Sequence, residues 1–380
     1  MLDVADLCCA LVRIPSLSGQ ERESAEFAAH LMAVLGFNVG TDEYGDVIGV
    51  RRGYGPGPTI LLDAHLDVVP VTNPDEWRHA PFDVEIADGR IWGRGAADTK
   101  GSLAAMICAA ASLPRESFVG QIVVSASVCE ENMTGAALSR VLDRHCPDVV
   151  IVGEPTGLKL GVAQKGRAGL VVEARGKSAH SSRPELGDNA VYKMIQAVNR
   201  IRALPLSSDP AIGPSVCELT ELVSEPLPGT GMVPHGCRAR FALRIMPGET
   251  AHELVERFRT VLNRLDGVTV RLDEISQRCY TGNTLVMPDY VPGWKLGPVN
   301  GPWQDKIEQG IKLAGLRAET FAAPYSTNGS ASAGQRGIST FIFGPGSIEQ
   351  AHMVDEWIAI EELQTGEQAY AAMIHTCLQV

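Results

Sequence analysis

Two histidines and five carboxylates share one kind of position in this sequence: each stands at or just beyond the end of an apolar or Gly-rich run. They are His65 and Asp67 in LLDAHLDVVP, Asp98 in GRGAADTKG, Glu130 and Glu131 in VVSASVCEEN, Glu154 in VIVGEPT and His352 in AHMVDE. Imidazole nitrogens and carboxylate oxygens together suit a borderline or hard divalent cation, zinc first, with cobalt or manganese next. None of the nine cysteines belongs to the set. The His-x-Asp spacing puts both side chains on one face of a strand. Glu130 and Glu131 are adjacent like charges, and burial raises the cost of keeping both ionised. A cation relieves that cost if it takes one carboxylate as a ligand and leaves the other as a base. Each residue also has a plainer reading. His65 or His352 can be a histidine satisfied by its neighbours. Asp98 can cap a helix beside Thr99, the glutamate pair can be solvated, and Glu154 can be the turn residue before Pro155.

For residues so far apart to meet, the runs that carry them must lie side by side. Stretches 58–70, 120–132 and 147–156 read as strands, with helices from about 99 to 113 and over 134–145. Residues 1–35 read as two helices, with a turn at Gly19 and a stop at Gly36. Buried strands alternating with helices predict an α/β sheet that is largely parallel, with sites gathered beyond the carboxyl ends of its strands.

The texture changes near Gly166. RAGLVVEARGK alternates apolar and polar residues, which predicts one wet face. A helix over 187–202, strands near 215–223 and 237–246, a helix over 250–265 and a strand over 268–276 complete a ferredoxin-like βαββαβ unit. The predicted organisation is a metal-binding domain from 1–165 and 283–380, with 166–282 inserted as an α+β lid. The chain returns through a helix at 303–315, a strand at 339–346 and a helix at 360–376.

A chain of 380 residues exceeds one ordinary core. Its 45% hydrophobic and 21% charged residues describe a soluble globular protein. A net charge of −12 with no basic run argues against nucleic acid as a partner. No apolar run approaches membrane-spanning length. The acidic start, MLDVADLCCALVRIPS, lacks the marks of a secretory signal. Nine cysteines without a CxxC pair read as reduced thiols, so a cytoplasmic location is expected. GRGAADTKG lacks the GK[ST] ending of a phosphate-binding loop, and its aspartate fits a ligand role better.

The series LLDAHLDVVP, IWGRGAADTKG, CEEN, VGEPT and GPG…AHMVDEWI resembles, in order and along almost the whole chain, the motifs of the M20 family of metallo-amidohydrolases. That family includes acetylornithine deacetylase, succinyl-diaminopimelate desuccinylase, aminoacylase and carboxypeptidase G2. The runs GRAGLVVEARGKSAHSSRP and YSTNGS further resemble a less characterised branch of it.

The resemblance implies a two-metal centre. His65, Asp98 and Glu154 would hold one ion, and Asp98, Glu131 and His352 the other, with Asp98 bridging. Glu130 would be the general acid/base, and Asp67 would orient His65 through its other ring nitrogen. On the inserted domain, His180 would reach the oxyanion of the tetrahedral intermediate, across a lid-mediated homodimer in many members. Arg244 would grip a substrate carboxylate. Two departures stand out: Gly231 occupies a position where relatives often carry Asn, and Asn328, near the substrate pocket, replaces a common Asp. The implied activity is hydrolysis of a small carboxylate-bearing amide, an N-acyl amino acid first. Within the family, a dipeptidase or carboxypeptidase is its rival. Two more rivals stay open: a site that holds a single metal ion, and a protein that retains metal without turning over a substrate.

Overall fold

The computed structural model describes residues 3–297 and 301–379. Its centre is a mixed sheet of nine strands. From one edge the order is Asn38–Thr41, Val47–Arg52, Gln121–Ser127, Thr59–His65, Val149–Val152, Ser339–Ile342, Leu160–Gln164 and Trp294–Lys295. Thr320–Ala323 also pairs with Leu160–Gln164. The run from Gln121–Ser127 to Ser339–Ile342 is parallel, and the strands that flank it on both sides are antiparallel to it.

Burial on both faces explains the unbroken apolar runs. Ile60 and Leu62 enter one core with helices Val4–Val12, Gly101–Ser112 and Ile360–Leu378. Leu61, between them, faces the opposite core with helix Leu138–His145. Successive side chains alternate between two dry layers, so polarity is largely deferred to the strand ends. Asp63, wholly buried within Thr59–His65, is an exception.

The lid follows its pattern. Gly166–Arg175, Ala190–Arg202, Val216–Glu225, Gly236–Ile245, Ala251–Leu262 and Val268–Leu272 form the βαββαβ unit. Its antiparallel sheet has the order Val216–Glu225, Gly236–Ile245, Gly166–Arg175, Val268–Leu272. Met194, Ile201, Leu254 and Phe258 from the helices cover one face. The other face is the wet one, and it carries Arg167, Arg240 and Arg244.

A hairpin of Glu274–Arg278 with Thr284–Pro288 was not foreseen. It leaves the lid and lies against the metal-binding domain. The Tyr280 hydroxyl donates to the Gly45 carbonyl at 3.0 Å, and Asn132 Nδ2 donates to Gln277 Oε1 at 3.0 Å. Gly19 makes that approach feasible: its φ is +85°, and a Cβ there would run into the Arg278 carbonyl. The chain then rejoins the lid sheet at Tyr290–Val291. Position 282 therefore falls inside the hairpin. Among the described residues all nine cysteines are free thiols, and no helix is long and apolar enough to cross a membrane.

Candidate metal centre

The strand-end residues converge beyond the carboxyl ends of the parallel strands, where open α/β sheets place their sites. His65 closes Thr59–His65, and Glu154 follows Val149–Val152. Asp98 lies in the turn Ala96–Lys100 that feeds helix Gly101–Ser112. The strand Gln121–Ser127 stops short of its glutamates. Cys129 adopts a left-handed φ of 57°, and Glu130–Met133 form a single helical turn. The chain thus bends before the pair. Neighbours on a helical turn differ by about 100° rather than 180°, so both carboxylates face one cleft.

That cleft encloses about 360 Å³ and is lined by His65, Asp98, Glu130, Glu131, Glu154 and His352 from the sheet edge, with Arg167 and Arg244 from the lid. His65 Nε2 lies 3.1 Å from Asp98 Oδ1, and His352 Nε2 lies 3.4 Å from Asp98 Oδ2. His352 Nε2 is also 3.0 Å from Glu131 Oε2. Asp98 thus touches both imidazoles, and His65, Asp98 and Glu131 offer ligand atoms within 4.8 Å of one another.

The electrostatics suit a cation. His65 Nδ1 lies 2.8 Å from the Asp67 carbonyl, a pure acceptor, so that nitrogen carries the proton. Against the opposing effect of burial, the Asp98 carboxylate facing Nε2 holds His65 well above its ordinary value, and a cation between the two would take the place of the Nε2 proton. Burial, reinforced by Glu131, Asp67 and Asp98 against the pull of His65, pushes Glu130 up to about 8. Burial and the Asp98 charge also raise Glu131 and Glu154 above the usual carboxylate range. Hydrogen bonding to Asp98 and Glu131 pushes His352 up to about 10. Glu130 Oε1 is buried with no hydrogen-bond partner among the described residues, free to take a proton from something in the cleft.

The supporting contacts differ in part from expectation. It is the main-chain carbonyl of Asp67 that orients His65; its carboxylate stands 3.7 Å from Nδ1. That carboxylate instead accepts the Glu130 N–H at 2.9 Å and the Glu131 N–H at 3.1 Å, anchoring the start of the glutamate turn. Glu356 and Arg94 were missed. Glu356 accepts from the N–H groups of Gly95, Ala97 and Asp98 at 2.9, 2.9 and 3.1 Å, and pairs with Arg94 at 2.7 Å, all buried. This clamp fixes the Asp98 turn. Arg167, also missed, is the cross-strand neighbour of Arg244. Its Nε and Nη2 are buried without hydrogen-bond partners among the described residues, and Asp289 is 3.8 Å away.

Two expected contacts are not made within one chain. His180 is exposed on the lid, bonded through Nδ1 to Ser182 Oγ at 2.8 Å, and does not line the cleft. Gly231, with φ +67°, accepts the Ser181 N–H beside it. Asn328, expected to meet substrate, is 3% exposed and lies beneath the cleft. Its amide is consumed by Asp63, Ser127 and Gly135.

Known proteins share this fold. The chain is 27% identical over 372–391 residues to curated relatives such as the succinyl-diaminopimelate desuccinylase of Maricaulis maris (strain MCS10), which it matches over 97% of its own length and 94% of the relative's. Its fold is similar to that of aminopeptidase PepT from Bacillus cereus ATCC 10987, with TM-score 0.76 and 20% identity over 98% of each chain. It is also similar to the Bacillus subtilis YXEP protein, described as a dinuclear metal binding peptidase, with TM-score 0.70 and 15% identity over 99% and 97% of the two chains. The model of peptidase family M20/M25/M40 matches residues 61–376, so the chain belongs to that family and is a hydrolase of amide bonds.

Proposed function

We propose that this hydrolase acts on small amides bearing a carboxylate, N-acyl amino acids first, at a centre of two divalent cations. The reading rests above all on one observation: Glu130 Oε1, buried and without a hydrogen-bond partner among the described residues, faces a cleft edged by two imidazoles and three further carboxylates on one side and two guanidiniums on the other. His65, Asp98 and Glu154 would hold one ion and Asp98, Glu131 and His352 the other, zinc being the first candidate for this donor set. When bound, such ions supply positive charge that acidifies water and polarises an amide carbonyl.

The chain's own residues do the rest. Arg244 and Arg167 hold the substrate carboxylate and so set the scissile bond against the sheet edge. Glu130 Oε1 takes the proton of the attacking water and returns it to the departing amine nitrogen. The Asp67 carboxylate keeps Glu130 in place through its N–H, and the Glu356 clamp does the same for Asp98. Because His180 does not line the cleft of its own chain, a homodimer through the lid is the arrangement in which it would meet the oxyanion. Nine free thiols fit a reducing, cytoplasmic setting.

A panel of N-acetyl, N-succinyl and dipeptide substrates, run on protein stripped of metal and reloaded with Zn2+, Co2+ or Mn2+, tests the reading. Turnover of an N-acyl amino acid that chelation abolishes is the expected result. Cleavage of dipeptides alone would favour a peptidase, the reading suggested by the solved aminopeptidase and peptidase of similar fold.

A further inference from the structure

Asp63 is a charged residue in the middle of a strand that is otherwise dry. Its exposure is 0%, and it sits two positions before His65. Asn328 comes from a loop 265 residues away, and its Nδ2 donates to Asp63 Oδ2 at 2.8 Å. The same nitrogen donates to Ser127 Oγ, the last residue of the neighbouring strand, at 3.0 Å. Asn328 Oδ1 accepts the Gly135 N–H at 2.6 Å. A main-chain N–H only donates, so the atom facing Gly135 must be the oxygen, and the amide's donor end must face Asp63.

Gly135 closes the segment that carries Glu130 and Glu131. Thr134, just before it, lines the cleft and donates to the Glu130 carbonyl at 3.1 Å. Asp67 fixes the front of this turn, through the N–H groups of Glu130 and Glu131. Asn328 fixes its back. We propose that Asp63 and Asn328 form a buried positioning couple, a carboxylate and an amide of matched polarity, that sets where Glu130 and Glu131 stand. The couple accounts for Asn at a position where Asp is common in the resembling family. An aspartate at 328 would still accept from Gly135, but its other oxygen would meet the Asp63 carboxylate acceptor to acceptor, at a position closed to bulk solvent. Exchanging both residues reverses the polarity without setting two carboxyl groups against each other.

This inference rests on the proposed role of Glu131 as a ligand. The test therefore reads metal binding directly: metal-free protein is titrated with Co2+ and followed by visible absorption and thermal unfolding. Asn328→Asp is expected to weaken Co2+ binding about 10- to 100-fold and change the absorption bands, as loss of a ligand's supporting partner does. Asp63→Asn combined with Asn328→Asp is expected to return both to within about threefold of wild type, because the donor and acceptor are exchanged and not lost. Should Asn328→Asp not fold, Asn328→Ala takes its place for the Co2+ titration, with the double variant unchanged. Failure of wild type to bind Co2+ would sink the metal reading itself. Wild-type binding with an unaltered Asn328→Asp titration, even at a lower unfolding temperature, would reduce Asn328 to a structural residue. A double variant as weak as the single one, or unfolded, would refute the pairing.

Discussion

Replacing Glu130 by Gln keeps the shape of the side chain and removes its capacity to take a proton. Positioned acid–base groups contribute about 10²- to 10⁴-fold in rate, or about 3–5 kcal/mol of barrier. Glu130 is not among the proposed ligands, so metal content should stay near that of wild type. A second effect follows from burial. The Glu130 carboxyl is raised from 4.5 to about 8 in the folded protein, chiefly by burial. An acid raised on folding holds its proton longer in the folded chain than in the unfolded one. Its stabilising contribution is therefore complete below 4.5 and is lost as pH rises through about 8. The loss is of the order of a few kcal/mol. Glutamine has no proton to lose, so metal-free Glu130→Gln should unfold at a higher temperature than metal-free wild type at about pH 9, with the gap closing towards about pH 5. The measurements are kcat/KM on the best substrate of the panel, metal content by emission spectrometry, and thermal unfolding of chelator-treated protein across pH. Activity within roughly tenfold of wild type would refute the assignment of the base. Metal lost together with activity would make Glu130 a ligand. Equal or lower stability at alkaline pH would remove the electrostatic argument.

Arg167→Ala and Arg244→Ala should each raise KM for carboxylate-bearing substrates about 10- to 100-fold, the worth of a charge-assisted hydrogen bond, while a carboxamide analogue responds little. Steady-state kinetics on the acid and amide pair checks this. Glu356→Gln leaves the Arg94 guanidinium buried without its anion and should cost about 3–5 kcal/mol in a urea titration, with weaker metal retention because the Asp98 turn loosens. Gly19→Ala forces a left-handed backbone and a collision with the Arg278 carbonyl. It should lower the denaturant midpoint by the equivalent of at least about 1 kcal/mol with metal content unchanged.

The central strands were legible because Leu61, Ile122 and Val150 lie in runs with no polar alternative, which only burial on two faces produces. The lid was legible for the opposite reason: the alternation of apolar and polar residues in RAGLVVEARGK announced one wet face. The convergence of His65, Asp98, Glu131, Glu154 and His352 could be anticipated because all lie past apolar runs. What stayed hidden depends on partners distant in sequence. Glu356 reads as one more charge in HMVDEW until Arg94 is found beside it. Asp67 acts through its carbonyl on His65 and through its carboxylate on three others, Ser18, Glu130 and Glu131, a division that no spacing encodes. Asn328 lies in a polar loop that reads like a pocket rim, yet its amide is wholly occupied within the core. The hairpin at 274–288 was missed because its apolar residues pack across to the other domain, leaving no long periodic signal of their own.

The sheet order also dictates when the enzyme can come into being. Ser339–Ile342 lies between Val149–Val152 and Leu160–Gln164, so the middle of the sheet stays open until residues 339–342 have been made. His352 lies ten residues beyond that strand, so neither the closed sheet nor the full proposed donor set exists until both have been made. Until then, the facing edges of two buried strands have no partner between them, a condition that favours slow folding and association with other chains. The closed sheet and the proposed metal centre thus depend on one and the same segment, residues 339–352.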